Sequence, residues 1–310
     1  MGEPGFGEQG GQLELYRLAY RAPLRGIVVE LKSKLPTFKR MDAPFQVESE
    51  GAQYSVTYLN AGAQNTEADL FQVTIPYEDR SGDRPSDRFI IKLYRERTAT
   101  TPLHGVAGDL DALEVAHLSG SLMDPELTSR SPEEAIREQA LAHHHTQGIE
   151  RVPSLVTFSP EDRVIIMQEM PGKSFEVLRK QPDRIPLTRE HIVQMVETMV
   201  RLHHRGVTAE TQLGNFLIDH NFGMSIVDIH PFSEDNKIVA LYNIATLYNA
   251  VQHYCETPLT AEPSAAAVMQ TWATAAGAKQ VIREILDQQF PTVVADMKTM
   301  EVIQDEQFTC

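Results

Sequence analysis

Apolar and polar positions change their period part-way along the chain. Between Phe45 and Tyr94 the spacing is close to two. Phe45-Gln-Val-Glu, Tyr54-Ser-Val-Thr-Tyr-Leu, Leu70-Phe-Gln-Val-Thr-Ile and Phe89-Ile-Ile-Lys-Leu-Tyr alternate or are rich in β-branched residues, which predicts four strands. Arg80-Ser-Gly-Asp-Arg-Pro-Ser-Asp is a turn-forming run before the last of them. Ser131-Pro132-Glu133-Glu134 combines an N-cap, a proline at the first helical position and acids in the first turn. A helix should run from there to about His145 and stop near Gly148. Ser154-Leu-Val-Thr-Phe and Val164-Ile-Ile-Met-Gln read as two further strands. Thr188 opens a long amphipathic helix with Ile192, Val193, Val196, Met199, Val200 and Leu202, ended by Gly206. Asn215-Phe-Leu-Ile-Asp and Met224-Ser-Ile-Val-Asp are short strands about the turn His220-Asn-Phe-Gly. Beyond Asp235 the pattern is helical, broken around Pro258, Pro263 and Pro291. Residues 24–34 fit either helix or strand, the glycine-rich first ten residues read as a loose tail, and 98–131 reads as a long connection. No internal repeat is present. The expectation is an α+β chain of two lobes, the first β-rich and the second helical, with a ligand between them.

Composition narrows the possible partners. The 310 residues hold 28 basic and 43 acidic side chains, a formal charge of −15. Binding to nucleic acid or anionic lipid by bulk charge is therefore not expected, whereas a local phosphate pocket is compatible with it. A hydrophobic fraction of 42% and a charged fraction of 23% are those of a globular chain. Cys255 and Cys310 are too few and too late for a disulfide framework, so a reducing compartment is expected. No apolar run approaches the ~18 residues of a membrane span, and no apolar signal core stands at the start. Phe6 stands where an N-myristoylation pattern has Ser or Thr. A soluble, cytoplasmic protein is the expectation.

Several residues interrupt these patterns in ways that suggest chemistry. Ser49-Glu50-Gly51-Ala52-Gln53-Tyr54-Ser55-Val56 places a glycine turn between two strands, which by itself reads as a hairpin. Lys92 breaks the apolar strand Phe89-Ile90-Ile91-Lys92-Leu93; on residues alone it could be an exposed lysine on an edge strand. Glu138 lies on the helix Ala135-Ile-Arg-Glu-Gln-Ala-Leu-Ala, ten residues before Gly148, with Glu134 one turn earlier and Glu133 suited to the helix dipole. Val164-Ile-Ile-Met-Gln-Glu169-Met-Pro-Gly172 is an apolar strand running into a Pro-Gly turn. Last comes Leu202-His-His-Arg-Gly-Val-Thr208-Ala209-Glu210-Thr-Gln-Leu-Gly-Asn215-Phe-Leu-Ile-Asp219, followed by Gly223-Met-Ser-Ile-Val-Asp228-Ile-His230-Pro.

In order and spacing, residues 45 to 235 resemble the protein-kinase-like superfamily, in the compact form of lipopolysaccharide and other small-substrate or effector kinases. The resemblance implies a bilobal fold: an N-terminal extension over 1–43, an N-lobe over 44–169 with an insertion at about 98–131, and a C-lobe over 170–310. It implies ATP and Mg²⁺ as cofactors and a hydroxyl acceptor, whether small molecule, glycan or protein, for phosphoryl transfer. Gly51 would lie over the phosphates, Val56 would pack on the adenine, and backbone near Glu169 would hydrogen-bond it. Lys92 would contact phosphates and pair with Glu138, or with Glu134. Asn215 and Asp228 would be the Mg²⁺ ligands.

Two departures matter. The family's catalytic aspartate lies five residues before the metal-binding asparagine, and here that position holds Glu210, preceded by Thr208-Ala209 in place of His-Arg. Glu210 would orient or deprotonate the acceptor, although its carboxylate reaches one methylene further. Two other outcomes are carried along: a pseudokinase acting as an interaction module, and a different nucleotide-dependent transfer such as AMP transfer. The second departure is that helical sequence resumes near Asn236, leaving little room for an activation segment. His143-His144-His145 point in different directions on a helix and read as its solvated end; His203 and His204 suit a helix C-terminus. His230 reads as support for Asp228, Cys255 as helix core, Cys310 as tail, and Asp305-Glu306 as a solvated face.

Overall fold

A computed structural model describes residues 24–38, 43–59, 68–74, 88–95, 131–232 and 237–303. The turn run at 80–87, the connection at 98–130, the first ten residues, Asp305-Glu306 and Cys310 lie outside the described residues. The architecture is α+β, with a β-rich N-terminal region and a helical C-terminal region. The chain divides into two units, 1–140 with 156–167 and 141–155 with 168–310.

In the first unit, helix α1 (Leu24–Phe38) settles the ambiguity of residues 24–34. Strands β1 (Phe45–Ser49), β2 (Ala52–Tyr58), β3 (Ala68–Thr74) and β4 (Arg88–Tyr94) follow. With β5 (Leu155–Ser159) and β6 (Val164–Gln168) they form a sheet in the order β1-β2-β3-β4-β6-β5. The first four strands pair antiparallel. Their register puts Phe45, Val47, Val56, Phe71, Val73, Ile91 and Leu93 on one face. That face is the core of the unit, closed by Ile27, Val28 and Leu31 of α1, all fully buried. Helix α1 thus lies inside the stretch read as an extension, yet its apolar side is core. Gly26 lets it come close: a Cβ there would fall on Ser49 Oγ. Lys32 reaches Asp162 on the β5–β6 turn at 3.1 Å, and Phe38 stacks on Phe45 with centroids 3.7 Å apart.

Helix α2 (Pro132–His145) begins as its sequence dictates. The Ser131 N–H donates to Glu134 Oε2 at 2.9 Å and the Glu134 N–H to Ser131 Oγ at 3.2 Å, a reciprocal capping box.

The second unit is built about α4 (Arg189–His203), which follows the four-residue α3 (Phe175–Leu178). Ile192, Met195, Val196, Met199 and Leu202 make the buried stripe of α4. Its cap is unusual: Thr188 Oγ1 accepts from the His191 N–H at 3.2 Å while His191 Nδ1 accepts from the Thr188 N–H at 3.1 Å. Beside α4 stand a β7 (Lys173–Ser174), β9 (Phe216–Asp219), β10 (Gly223–Ile226) sheet in the order β10-β9-β7, and a ladder of β8 (Val207–Ala209) with β11 (Ile229–Pro231). Helices α5 (Lys237–Ala245), α6 (Leu247–Cys255), α7 (Pro263–Trp272), α8 (Ala275–Gln289) and α9 (Pro291–Thr299) complete the unit. Pro263 and Pro291, expected as breaks, are the first residues of α7 and α9, where their missing N–H costs nothing. Arg184 is buried, donates from one Nη to the carbonyls of Tyr254 and Thr257 at 2.8 and 2.5 Å, and so ties the end of α6 to the segment before α4. Among the described residues, no helix is long and apolar enough to cross a membrane.

Candidate functional site

The β8–β11 ladder assembles one half of the candidate chemistry. Ala209 pairs with Ile229 and Thr208 with His230, antiparallel, so Glu210 and Asp228 are the next residues at the same end of the two strands. Asn215 closes the loop between them. Its backbone N–H donates to Gln212 O at 3.0 Å, its Nδ2 donates to Glu210 O at 3.2 Å, and its carbonyl accepts the Val227 N–H at 2.9 Å. Asn215 is buried to 7% exposure, and with Nδ2 engaged as a donor its Oδ1 is the acceptor atom of the side chain. Asp228 is half-buried at φ +56°, a left-handed conformation that aspartate tolerates better than most residues and that clusters at functional sites. Glu210 is exposed, and Gln212 Nε2 donates to its Oε2 at 2.6 Å.

Neighbouring groups brace this end of the unit. Asn243 Nδ2 on α5 donates to Thr208 Oγ1 at 3.0 Å. His203 is buried and stacks on Phe232, centroids 5.4 Å apart. His230 Nε2 lies 3.9 Å from Asp228 Oδ1, an ion-pair separation and not a hydrogen bond. On α4, Gln194 Oε1 accepts the Met224 N–H at 3.0 Å, holding the β9–β10 hairpin that leads to Asp228.

Lys92 belongs to the first unit. It is no edge-strand lysine: β4 lies between β3 and β6, and Lys92 is only 4% exposed. Its Nζ stands 5.2 Å from the Tyr94 ring centroid. Burial at that depth is costly for an ammonium unless it serves a partner or ligand. Alternation puts Lys92 on the sheet face opposite α1. Glu138 is half-buried on the part of α2 that belongs to the same unit, whereas Glu134 is committed to the cap of α2.

The register separates Gly51 and Val56 from Lys92. The row containing Lys92 runs through Leu70 to Leu59, whose N–H donates to Leu70 O at 2.9 Å. Gly51 is eight residues further back along β2, about 26 Å at ~3.3 Å per strand residue. Glu50 and Gly51 have φ of +50° and +78°, the pair of left-handed residues that closes a tight two-residue hairpin. A Cβ at Gly51 would meet nothing within 4 Å, so the turn explains this glycine without a ligand. Val56 is fully buried in the core under α1, on the face away from Lys92. The apolar residues Leu70 and Leu59 share the face and row of Lys92, and Leu59 is 43% exposed. Sequence reasoning passed over it because alternation gives a face only once the register is known.

Glu169 follows β6 in the second unit and is half-buried; the preceding Gln168 N–H donates to Ser154 O at 2.9 Å. Gly172, in the turn after it, has φ +107°, and a Cβ there would come within 2.5 Å of Ile218 O. The triple histidine is not a solvated helix end throughout. His143 is fully buried, its Nδ1 3.0 Å from Pro153 O, because α2 turns that face onto the segment leading to β5. Burial pushes the Cys255 thiol up to about 12, so it is an inert core residue.

Among the described residues, no three His, Cys, Asp or Glu side chains are grouped to hold a metal. Asn215 and Asp228 are the candidate oxygen donors, and Val227, the residue before Asp228, donates its N–H to Asn215 O. That donor set fits Mg²⁺, which takes the rest of its shell from phosphate and water, and does not fit an ion that needs a full protein cage. Compared with known proteins, the chain matches no family model and no curated protein.

Proposed function

We propose that the chain is an ATP- and Mg²⁺-dependent phosphotransferase of protein-kinase-like fold, acting on a hydroxyl acceptor. The observation that carries this reading is the loop Glu210–Asn215, closed on itself and bonded to Val227 so that Glu210, Asn215 and Asp228 share one end of a ladder. A buried lysine on an interior strand, with Glu138 in the same unit, supports it. So does the order of elements: antiparallel strands, a helix, two strands, then a mainly helical unit.

In this reading Asn215 and Asp228 hold Mg²⁺, which supplies charge neutralisation at the phosphates. Lys92 takes phosphate oxygens and Glu138 holds Lys92. Leu59 replaces Val56 as apolar surface for the base, and Gly51 has no part. The acceptor oxygen bonds to the γ-phosphorus, the bridging P–O bond to ADP breaks, and the hydroxyl proton passes to the Glu210 carboxylate.

The test is a thermal-shift titration with ATP, with and without Mg²⁺, on the wild type and Asp228→Ala. A ligand that binds only the folded state raises its apparent stability. A Mg²⁺-dependent shift that Asp228→Ala abolishes is expected; no shift at millimolar ATP in the wild type refutes the nucleotide site. Mass spectrometry of the modified acceptor then separates an added phosphate from an added nucleotide.

A further inference from the structure

Glu210 stands where the resemblance calls for an aspartate, and the longer side chain carries one more freely rotating bond between backbone and carboxylate. Left alone, that bond would spread the carboxylate over several positions, and misplacement of a reacting group by about 1 Å can cost about a hundredfold in rate. The structure contains a device that acts on this freedom. Gln212 Nε2 donates to Glu210 Oε2 at 2.6 Å, between two exposed side chains.

Both ends of this bond stand on anchored backbone. Glu210 follows the last pair of the β8–β11 ladder, and its carbonyl accepts from Asn215 Nδ2 at 3.2 Å. The Gln212 carbonyl accepts the Asn215 N–H at 3.0 Å, opening the 3₁₀ turn Leu213–Asn215. One residue, Asn215, therefore fixes the backbone of both partners. The side-chain bond completes a closed frame of Glu210, Gln212 and Asn215. An exposed glutamine has no reason of burial to be so placed, and a hydrogen bond between two exposed side chains contributes little to folding.

We infer that Gln212 is a positioning residue for the proposed transfer: by holding Oε2 it sets where Oε1 of Glu210 lies, and so compensates for the extra methylene. The inference rests on the phosphotransfer reading and adds to it the reason a glutamate can serve at this position. Gln212 touches neither nucleotide nor acceptor in this scheme; it acts through Glu210.

The experiment uses the full chain, Mg²⁺-ATP and water as the acceptor, with released phosphate as the signal. Four proteins are compared: wild type, Gln212→Met, Glu210→Asp and the double variant. Methionine keeps length and removes the donor. Gln212→Met should lower kcat about tenfold or more and leave the KM for ATP and the melting temperature unchanged. In the Glu210→Asp background the shorter carboxylate no longer reaches Nε2, so adding Gln212→Met should change kcat less than twofold. Equal turnover by wild type and Gln212→Met, or additive losses in the double variant, overturns the positioning role and leaves the phosphotransfer reading standing. A rise in KM with unchanged kcat also overturns it, since that marks a nucleotide contact. A wild type that neither releases phosphate nor shows a Mg²⁺-ATP thermal shift removes the reading and the inference together, and is told apart because the parent protein itself is silent.

Discussion

The backbone N–H of Val227 donates to the carbonyl of Asn215 at 2.9 Å, so the residue before Asp228 is fastened to the residue that closes the loop from Glu210. This main-chain bond holds together the backbone segments that carry the two oxygen donors proposed for Mg²⁺. Asn215→Ala keeps that main-chain bond and deletes only the side chain. It should cost about 1 kcal/mol of stability, through loss of the bond to Glu210 O. It should also abolish the Mg²⁺-dependent part of any ATP-induced rise in melting temperature. A retained Mg²⁺ effect in thermal-shift titration would remove Asn215 from the ligand set.

Glu210→Gln separates chemistry from binding. The amide is isosteric but cannot accept the hydroxyl proton, and general-base contributions run to about 10²–10⁴ in rate. Turnover should fall by at least about a hundredfold while the ATP-induced thermal shift persists. Unchanged turnover in single-turnover assays would mean that Glu210 neither orients nor deprotonates the acceptor.

Acid should loosen the start of α4. His191 Nδ1 must be unprotonated to accept the Thr188 N–H, and its pKa is lowered, first by burial and then by His220, against an opposing pull from Glu190. The unfolded chain, with histidine near its ordinary 6.5, binds the proton more readily. This contribution is therefore present above about pH 6.5 and is lost as pH falls through 6.5 towards the lower folded value. A helix cap is worth about 1 kcal/mol. Between pH 7.5 and 5.5 the wild type should lose about that much more than His191→Gln, measured by urea unfolding. Equal losses in the two proteins would show that the cap does not titrate.

Much of the fold was legible because its signals are local. Ser131 and Glu134, three apart, announce the capping box that forms. Alternation located β1 to β4 to within a few residues. What failed depended on register and on distant packing. Gly51 and Lys92 look compatible along the chain, yet two strands and eight residues separate them. Val56 takes the face opposite Lys92, which only its pairing with Val73 reveals. The buried carboxylate of Asp69, held by Arg95 Nη2 at 2.7 Å and by the Tyr58 hydroxyl at 2.9 Å, joins three strand ends and has no local signature at all. In the second unit, short loops on paired strands keep Glu210, Asn215 and Asp228 together in space, so their common placement, as distinct from their role, follows from neighbours in the sequence.

Two glycines with left-handed backbone should respond differently to alanine. At Gly51, φ is +78° and the added Cβ enters open space, so the cost is that of the conformation alone, about 1–2 kcal/mol. At Gly172, φ is +107° and the Cβ would press within 2.5 Å of the Ile218 carbonyl, which is backbone and cannot swing aside. Gly172→Ala should cost about 3 kcal/mol, since strain and overpacking act together. Chemical denaturation of the two variants decides it, and equal costs would mean that the β7–β9 pairing yields at Ile218.

Gly26→Ala tests whether α1 is docked core, because the two possibilities differ in sign. In a solvent-exposed helix, alanine is better than glycine by about 1 kcal/mol, so an undocked α1 would be stabilised or unaffected by the change. In the structure the new Cβ would fall on Ser49 Oγ and lie 3.2 Å from Ser49 Cβ, so the Ser49 hydroxyl must swing aside and helix and strand must give by a few tenths of an ångström. Overpacking of that kind costs about 1–3 kcal/mol. Separation would also begin to expose Ile27, Val28 and Leu31, which are fully buried against the sheet. Ser49→Ala removes the hydroxyl and leaves the Cβ contact, so the double variant Gly26→Ala/Ser49→Ala should recover part of the loss and not all of it. Urea unfolding of the three variants distinguishes the cases: a stabilised Gly26→Ala would place α1 off the sheet, and a loss relieved by Ser49→Ala locates the strain at the crossing of α1 and β1.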